Sequence, residues 1–495
     1  MSRITLAPSV LIRGWTQLGA RYLPFADAAT VELPLRRLCR LGLFQVSVAM
    51  ATTLLAGTLN RVMIVELNVP ASLVALMVSL PLLVAPFRAL IGYRSDVHRS
   101  VLGWRRVPFL WFGSMLQFGG LAIMPFALIL LSGDTNGSVA SARTIAALAF
   151  ILVGAGAHTT QTAGLALATD LAPERVRPRA VALLYVMLLI GMVGSALAFG
   201  QLLAPFSQLR LIKVIQGAAV VTMVFNMIAL WKQEPRAPRV STLPREADAP
   251  ASLRAGVESS ATGFRVAWQS LAKTGQTMRL LVSVGLGAAA FGMQDVLLEP
   301  YGGQILHLGV GATTALTALM AAGSLVAFAL SARLLERGAD PLRLASMGLV
   351  VGVFAFSAVI FAAPLESASL FRVGTTGIGF GSGLFGVGTL LTAMGLNAKA
   401  DNGLALGAWG AVQATLGGVA VLSGGLIRDA VATLAARGAL GEAMSAPFVS
   451  YSVVYHVEIA LLFATLIAIG PLVKPLGAAR AARQPQPFGL SDLPG

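Results

Sequence analysis

Few side chains in this 495-residue chain can do chemistry, and most of those that can lie inside apolar runs. Arg61 and Glu66 fall near the end of one run, and Asp295 and Glu299 near the end of another. The last two are four residues apart and so share one face of a helix. Such a set forms ion pairs or holds protons. Of four histidines, His158 (beside Gln161) and His456 fall within apolar runs, and neutral imidazole is the commonest nitrogen ligand for metals. One cysteine, Cys39, makes no internal disulfide and no zinc or redox motif. There is no phosphate-binding glycine loop ending in Lys-Ser/Thr, no nucleophile elbow and no His/Cys cluster. The chain does not read as an enzyme.

What positions these groups is a set of membrane helices. Hydrophobic residues make up 56% of the chain and charged residues only 12%, about half the usual share for a soluble domain. So few charges cannot cover a water-facing surface, and the chain is too apolar for disorder. A helix needs about 20 apolar residues to cross the hydrocarbon core. Twelve runs satisfy this: 41–66, 70–92, 107–131, 144–169, 179–206, 210–231, 279–304, 309–332, 343–364, 368–395, 403–432 and 448–473. They are apolar all round, and their glycines and prolines are tolerated in membrane helices. The short alternating strands of a barrel are absent.

Basic residues set the orientation. If the N-terminus and the even-to-odd loops are cytoplasmic, those segments hold 28 of the 36 Lys and Arg. The opposite side holds seven, and Arg88 lies within a span. That asymmetry predicts a multi-pass protein with both termini in the cytoplasm. It also assigns the net charge of +15 to anionic lipid rather than nucleic acid. No cleavable leader is expected. Leu11, Trp15, Leu18 and Tyr22 recur at helical spacing, which predicts an interfacial helix; Phe264, Trp268 and Leu271 suggest a second. The expected organisation is an N-terminal segment (1–40), a six-helix bundle (41–231), a linker rich in proline and charge (232–278), a second six-helix bundle (279–473) and a tail (474–495).

The halves echo one another weakly, with Arg-bearing turns at Gly92–Arg106 and Arg333–Arg343. Parallel six-span repeats joined by a polar loop describe the major facilitator fold. After the second run comes GYRSDVHRSVLGWRR, with Gly92, Asp96, Arg99, Gly103, Arg105 and Arg106. This resembles the superfamily's G-x-x-x-D-R-x-G-R-R signature, with longer spacing after Asp96. Gly92 would allow close helix approach. Asp96 would sit by a helix N-terminus or an arginine and latch the cytoplasmic helix ends.

The resemblance narrows further along the chain. LFQVSVAMATTLLAGTLNRVMIVEL (43–67), APFRALIGYRSDVHRSVLGWRRVPFLWFGS (85–114), QTAGLALATDLAPERVRPRAVALLYVM (161–187) and FGMQDVLLEPYGGQIL (291–306) resemble the PucC/LhaA-type proteins. These form the bacteriochlorophyll-delivery branch of the major facilitator superfamily. The resemblance runs from about residue 22 to the tail. It implies a bacterial inner, or intracytoplasmic, membrane and a role in assembling purple-bacterial light-harvesting antennae. It implies bacteriochlorophyll as the bound pigment, with carotenoid a candidate second one. Antenna polypeptides are the implied partners, with bacteriochlorophyll synthase and the reaction-centre complex as further candidates.

Against that background the in-span polar residues gain roles. Arg61 is expected to pair with Asp295 or Glu299 across the cavity between spans one and seven, with Glu66 in the same cluster, closing the periplasmic side. A static structural ion pair is the competing reading. Arg88 either snorkels to the headgroups or meets Asp96 or Asp170. His158, with Gln161 and with Gly154, Gly156 and Gly164 around it, is a candidate axial ligand to the magnesium of a chlorin, the glycines leaving room for a flat macrocycle; His456 is a less favoured one. The alternative for His158 is a hydrogen bond to a neighbouring helix. The glycines of span ten, from Gly374 to Gly388, serve close helix packing or a smooth wall for a planar ligand. Three functions stay open: a pigment-delivering assembly factor, a proton-coupled small-solute transporter using Asp295 or Glu299, and a pigment-free scaffold.

Overall fold

A computed structural model of the chain describes residues 33–85, 88, 91, 95, 100, 104–132, 138–173, 176–234, 275–395 and 402–473. Twelve helices account for nearly all of them: α1 (Leu35–Glu66), α2 (Ala71–Val84), α3 (Val107–Leu131), α4 (Val139–Leu171), α5 (Arg177–Leu202), α6 (Gln208–Leu230), α7 (Gly275–Gln304), α8 (Val310–Glu336), α9 (Pro341–Ala362), α10 (Ala368–Gly395), α11 (Asn402–Ala436) and α12 (Val449–Ile469). Among the described residues there is no strand. Eleven of these helices are long and apolar enough to cross a membrane; the described part of α2 is shorter. The two expected interfacial helices, the central linker beyond Glu234 and the C-terminal tail lie outside the described residues.

Local chemistry starts the helices where the pattern asks for it. Ser138 and Ser207 cap α4 and α6, accepting from the N–H groups of Ser141 and Arg210. Asp340 caps α9 ahead of Pro341, whose fixed φ suits a first helical position. Two helices begin inside the segments expected to flank them: α7 at Gly275, within the 232–278 linker, and α1 at Leu35, within the N-terminal segment. Arg37 explains the second. Its guanidinium donates to the Gln233 carbonyl (2.6 Å) and side chain (3.1 Å) just past the end of α6, where a cation suits the helix C-terminus.

Packing follows a rule of six. α1 lies on α4, α5 and α6, as α7 lies on α10, α11 and α12. α3 packs on α4 and α6, as α9 packs on α10 and α12; α2 meets α4, as α8 meets α10. The halves join through α2 against α11 and α5 against α8, the pattern of two parallel repeats. Glycine makes the second seam tight, since a Cβ on Gly311 would lie 2.8 Å from the Gly200 carbonyl oxygen. Phe112, Phe126, Phe354 and Ile467 face outward, as lipid requires.

Candidate functional site

The polar residues of α1 and α7 meet at one level, and there both helices leave α geometry. α1 is π-helical over Thr53–Thr58 and again over Val62–Glu66, and α7 tightens into a 3-10 turn at Met293–Val296. Such departures inside long helices concentrate at functional positions. The Asn60 amide donates to the Asp295 carbonyl (2.9 Å), joining the helices. Gly57 allows the approach: a Cβ there would lie 2.8 Å from both Glu299 Oε1 and Thr317 Oγ1.

The charges are partnered differently from the expected pairing. Arg61 is buried, and its ion-pair partner is Glu66. The second π turn is the reason, because i→i+5 winding stacks residues five apart on one face. Glu299 instead accepts from the Thr317 hydroxyl (2.6 Å), and Asp295 accepts from the Gln294 amide. Arg61 lies against α7 itself, its Nε 3.3 Å from where a Gly303 Cβ would be. The four residues therefore share one neighbourhood without Arg61 bridging to Asp295 or Glu299.

Around them a polar belt ties the halves together. Tyr451 Oη (2.5 Å) and Arg428 Nη2 (2.9 Å) both donate to Gln304 Oε1. Arg428 pairs with Asp429 (2.9 Å), whose other oxygen accepts from the Ser72 N–H (2.7 Å) and caps α2 from across the seam. This belt ties α2, α7, α11 and α12 together at one end of the bundle.

Next to the belt is a chamber of about 130 Å³, lined by Thr53, Gly57, Gln294, Asp295, Glu299 and Thr317 among others. Small-molecule sites run to roughly 300–1,000 Å³, so a tetrapyrrole does not fit there. Glu299 Oε2, Gln294 Oε1 and Thr53 Oγ1 are buried without a hydrogen-bond partner. Glu458 on α12 approaches from behind, its Oε1 accepting the Gln294 N–H (2.7 Å) where the 3-10 turn frees it. The sequence reading missed Glu458, although a carboxylate inside a span is itself the signal.

His158 sits in a second cluster. Its Nε2 donates to the Pro81 carbonyl (3.2 Å), the hydrogen bond to a neighbouring helix that competed with the ligand reading. The expected space for a macrocycle is filled. A Cβ on Gly154 would lie 2.3 Å from the Pro81 ring, one on Gly156 2.3 Å from the Gln117 backbone nitrogen, and one on Gly164 2.6 Å from the Phe44 ring. These glycines exist so that α1, α2 and α3 can touch α4. Most span-ten glycines act likewise, with Gly379 against the Met320 carbonyl and Gly388 against that of Pro341, while Gly386 faces open space. Nearby, Arg88 donates to Gln161 Oε1 (2.8 Å) and Thr162 Oγ1 (3.2 Å), and Gln161 reaches Gln45 (3.3 Å). Asp170, a suggested partner of Arg88, pairs with Arg106 instead (2.9 Å).

His456 has the opposite setting. It is exposed on the outer face of α12, on a stripe with Ala460, Phe463 and Ile467. Its Nδ1 lies 2.7 Å from the Ser452 carbonyl oxygen. A carbonyl only accepts, so Nδ1 carries the proton and the lone pair of the neutral ring is on Nε2.

Of the signature after α2, Gly92, Asp96, Arg99 and Gly103 lie outside the described residues. Arg106 also reaches Ser95 Oγ (2.6 Å). The N–H groups of Arg105, Arg106 and Val107 converge on the Glu234 carboxylate, so an acid just past α6 caps α3. Nothing in the spacing pointed to Glu234, because the contact depends on how the chain returns after α6.

A family model described as PUCC protein matches residues 58–476. The chain belongs to the PUCC family. A Protein PucC from Rhodovulum sulfidophilum is 57% identical over 417 residues, covering 84% of this chain and 89% of the relative. An "Uncharacterized protein in puhA-bchM intergenic region" from Rhodobacter capsulatus is 55% identical over 459 residues, covering 92% and 93%. Among solved structures, a bacterial homolog of the human lysosomal transporter Spinster, inward-facing and unoccupied, superposes with a TM-score of 0.62 at 14% identity, covering 93% of this chain and 98% of that one. At that identity the likeness establishes the fold alone, which is the major facilitator fold.

Proposed function

We propose that this chain is an assembly factor for light-harvesting antenna complexes that carries bacteriochlorophyll and presents it to antenna polypeptides in the bacterial inner membrane. Membership of the PUCC family is the observation that carries this reading. Two interior places lack room for a macrocycle, the chamber at the α1–α7 seam and the surroundings of His158, which supports a carrying surface that faces lipid. His456 fits there. A chlorin magnesium has an open axial position that a neutral imidazole nitrogen fills, and Nε2 of His456 is the nitrogen left available by the Ser452 bond. Ala460, one turn along, keeps the adjoining surface low.

The test is an absorption spectrum, visible through near-infrared, of the full chain purified in mild detergent from a pigment-making host without antenna polypeptides. Stoichiometric bacteriochlorophyll is expected, lost in His456→Leu and kept in His158→Leu. A colourless, monodisperse protein would overturn pigment carriage, and antenna subunits co-purifying with it would leave the scaffold. The acid-lined chamber between broken helices favours a second reading, solute transport. It predicts flux in proteoliposomes that Glu299→Gln abolishes.

A further inference from the structure

The chamber at the α1–α7 seam has a charge and hydrogen-bond balance that the protein alone does not close. Its polar lining is almost entirely oxygen. Glu299 Oε2, Gln294 Oε1 and Thr53 Oγ1 are buried, belong to residues at most 3% exposed, and have no partner. Thr317 spends its hydroxyl proton on Glu299 Oε1. The Gln294 amide is committed to the Phe291 carbonyl and Asp295. The spare donor is therefore the Thr53 hydroxyl, against several spare acceptors.

Charge is equally one-sided. Asp295 and Glu299 face the chamber and Glu458 lies behind it, while Arg61 pairs with Glu66 and Arg428 with Asp429, each keeping its Nε buried and without a hydrogen-bond partner. Among the described residues no Lys or Arg lies within ion-pair distance of Asp295, Glu299 or Glu458. Ionised carboxylates without a counter-charge are costly inside a membrane protein. A proton on Glu299 would offset one charge and supply one donor. It would leave Asp295 and Glu458 without an ion-pair partner.

We propose that this chamber binds a small monovalent metal cation, sodium or potassium, held by Asp295, Glu299, Gln294 and Thr53. Oxygen ligands from carboxylate, amide and hydroxyl suit a hard cation, which satisfies all of them at once. The broken helices support the assignment. In bundles built from repeats, ion sites form near the repeat interface where helices are discontinuous and backbone carbonyls leave the regular ladder. Here α1 is π-helical and α7 is 3-10 at that level. A volume of about 130 Å³ takes an ion with a few retained waters, since one water needs roughly 10–15 Å³ by this measure.

The experiment uses the full chain from a pigment-free host, so its outcome is independent of pigment carriage. Thermal unfolding in detergent is followed at pH 7 while NaCl or KCl replaces choline chloride at constant ionic strength. A ligand that binds only the folded state raises the midpoint with concentration. The expected result is a midpoint that rises with sodium or potassium in the wild type, a rise lost in Glu299→Gln and Asp295→Asn. Should those variants fail to fold, Thr53→Val removes one neutral oxygen and is expected to shift the rise to higher cation concentration. Equal midpoints in sodium, potassium and choline would overturn the site. So would an equal rise in wild type and variants, or a midpoint that follows pH but ignores the cation, which would mean that protons alone neutralise the acids.

Discussion

Two groups of buried polar side chains occupy this bundle, and they are opposite in sign and in packing. The first lies within α1–α6: Arg88, Gln161, Thr162, Gln45 and His158. It is rich in donors, and among the described residues its one cation has no carboxylate beside it. α1 at Gln45 and α4 at His158–Thr162 are regular α-helix, and glycines bring α1, α2 and α3 against α4. The second lies at the seam between halves, with Asp295, Glu299 and Gln294 against Thr53 and Thr317. It is rich in acceptors, its helices are unwound, and it borders a chamber. The difference teaches how to tell architecture from a site. The Arg88 guanidinium finds amide and hydroxyl oxygens within the protein, with Gln45 Nε2 left unpartnered, whereas unmatched acidic oxygens beside open space call for a ligand.

The largest effect expected from this contrast is at Gly156. A Cβ there meets the Gln117 backbone nitrogen at 2.3 Å and the Gly113 carbonyl at 2.6 Å, atoms that move only if α3 and α4 separate. Gly156→Ala is expected to lower stability by about 1–3 kcal/mol, toward the upper end, read as the unfolding midpoint of purified protein. A fully stable Gly156→Ala would show that the first cluster has slack, and His158 would again have room for a ligand.

Arg88→Met comes next. It removes the donors to Gln161 and Thr162, and an unsatisfied buried acceptor costs about 1–3 kcal/mol; release of an uncompensated charge offsets part of that. A net loss near 1–2 kcal/mol is expected, measured in the same way. A gain in stability would mean that Arg88 is held at a cost, and the first region would then also count as a ligand site, for an anion.

How much of this could be read from residues alone depends on what the reading needed. Span number needs only length and polarity, and the twelve runs match the twelve helices. The rule that ionisable groups inside spans are special picked out Arg61, Glu66, Asp295 and Glu299, and the fold brings them to one level. It did not tell which pairs with which, because a π turn rotates every following side chain relative to an ideal helix. A chain read at 3.6 residues per turn therefore aims Arg61 at the wrong partner. Glycines hide their purpose for another reason. A missing side chain marks either space or contact, and only the neighbouring helix decides; around His158 it was contact. The role of Glu234 depended on chain return, and the exposure of His456, a residue the sequence did pick out, on which face meets lipid; neither leaves a periodic trace in helices that are apolar all round.

The smallest effect is expected at Gly57, and it sharpens the comparison most. A Cβ there would lie 2.8 Å from Glu299 Oε1 and from Thr317 Oγ1, a short distance of the same kind as at Gly156. What it meets differs, since both atoms are side-chain ends beside open volume and both can move. Gly57→Ala is expected to cost about 1 kcal/mol for the disturbed hydrogen bond and to regain up to about 1 kcal/mol because alanine is the better helix former. Its unfolding midpoint in choline chloride should therefore match the wild type, while its response to sodium or potassium weakens because Glu299 is pushed aside. A drop as large as that of Gly156→Ala would show that the seam is as rigidly packed as the first cluster. The distinction between a filled core and a site awaiting its ligand would then fail.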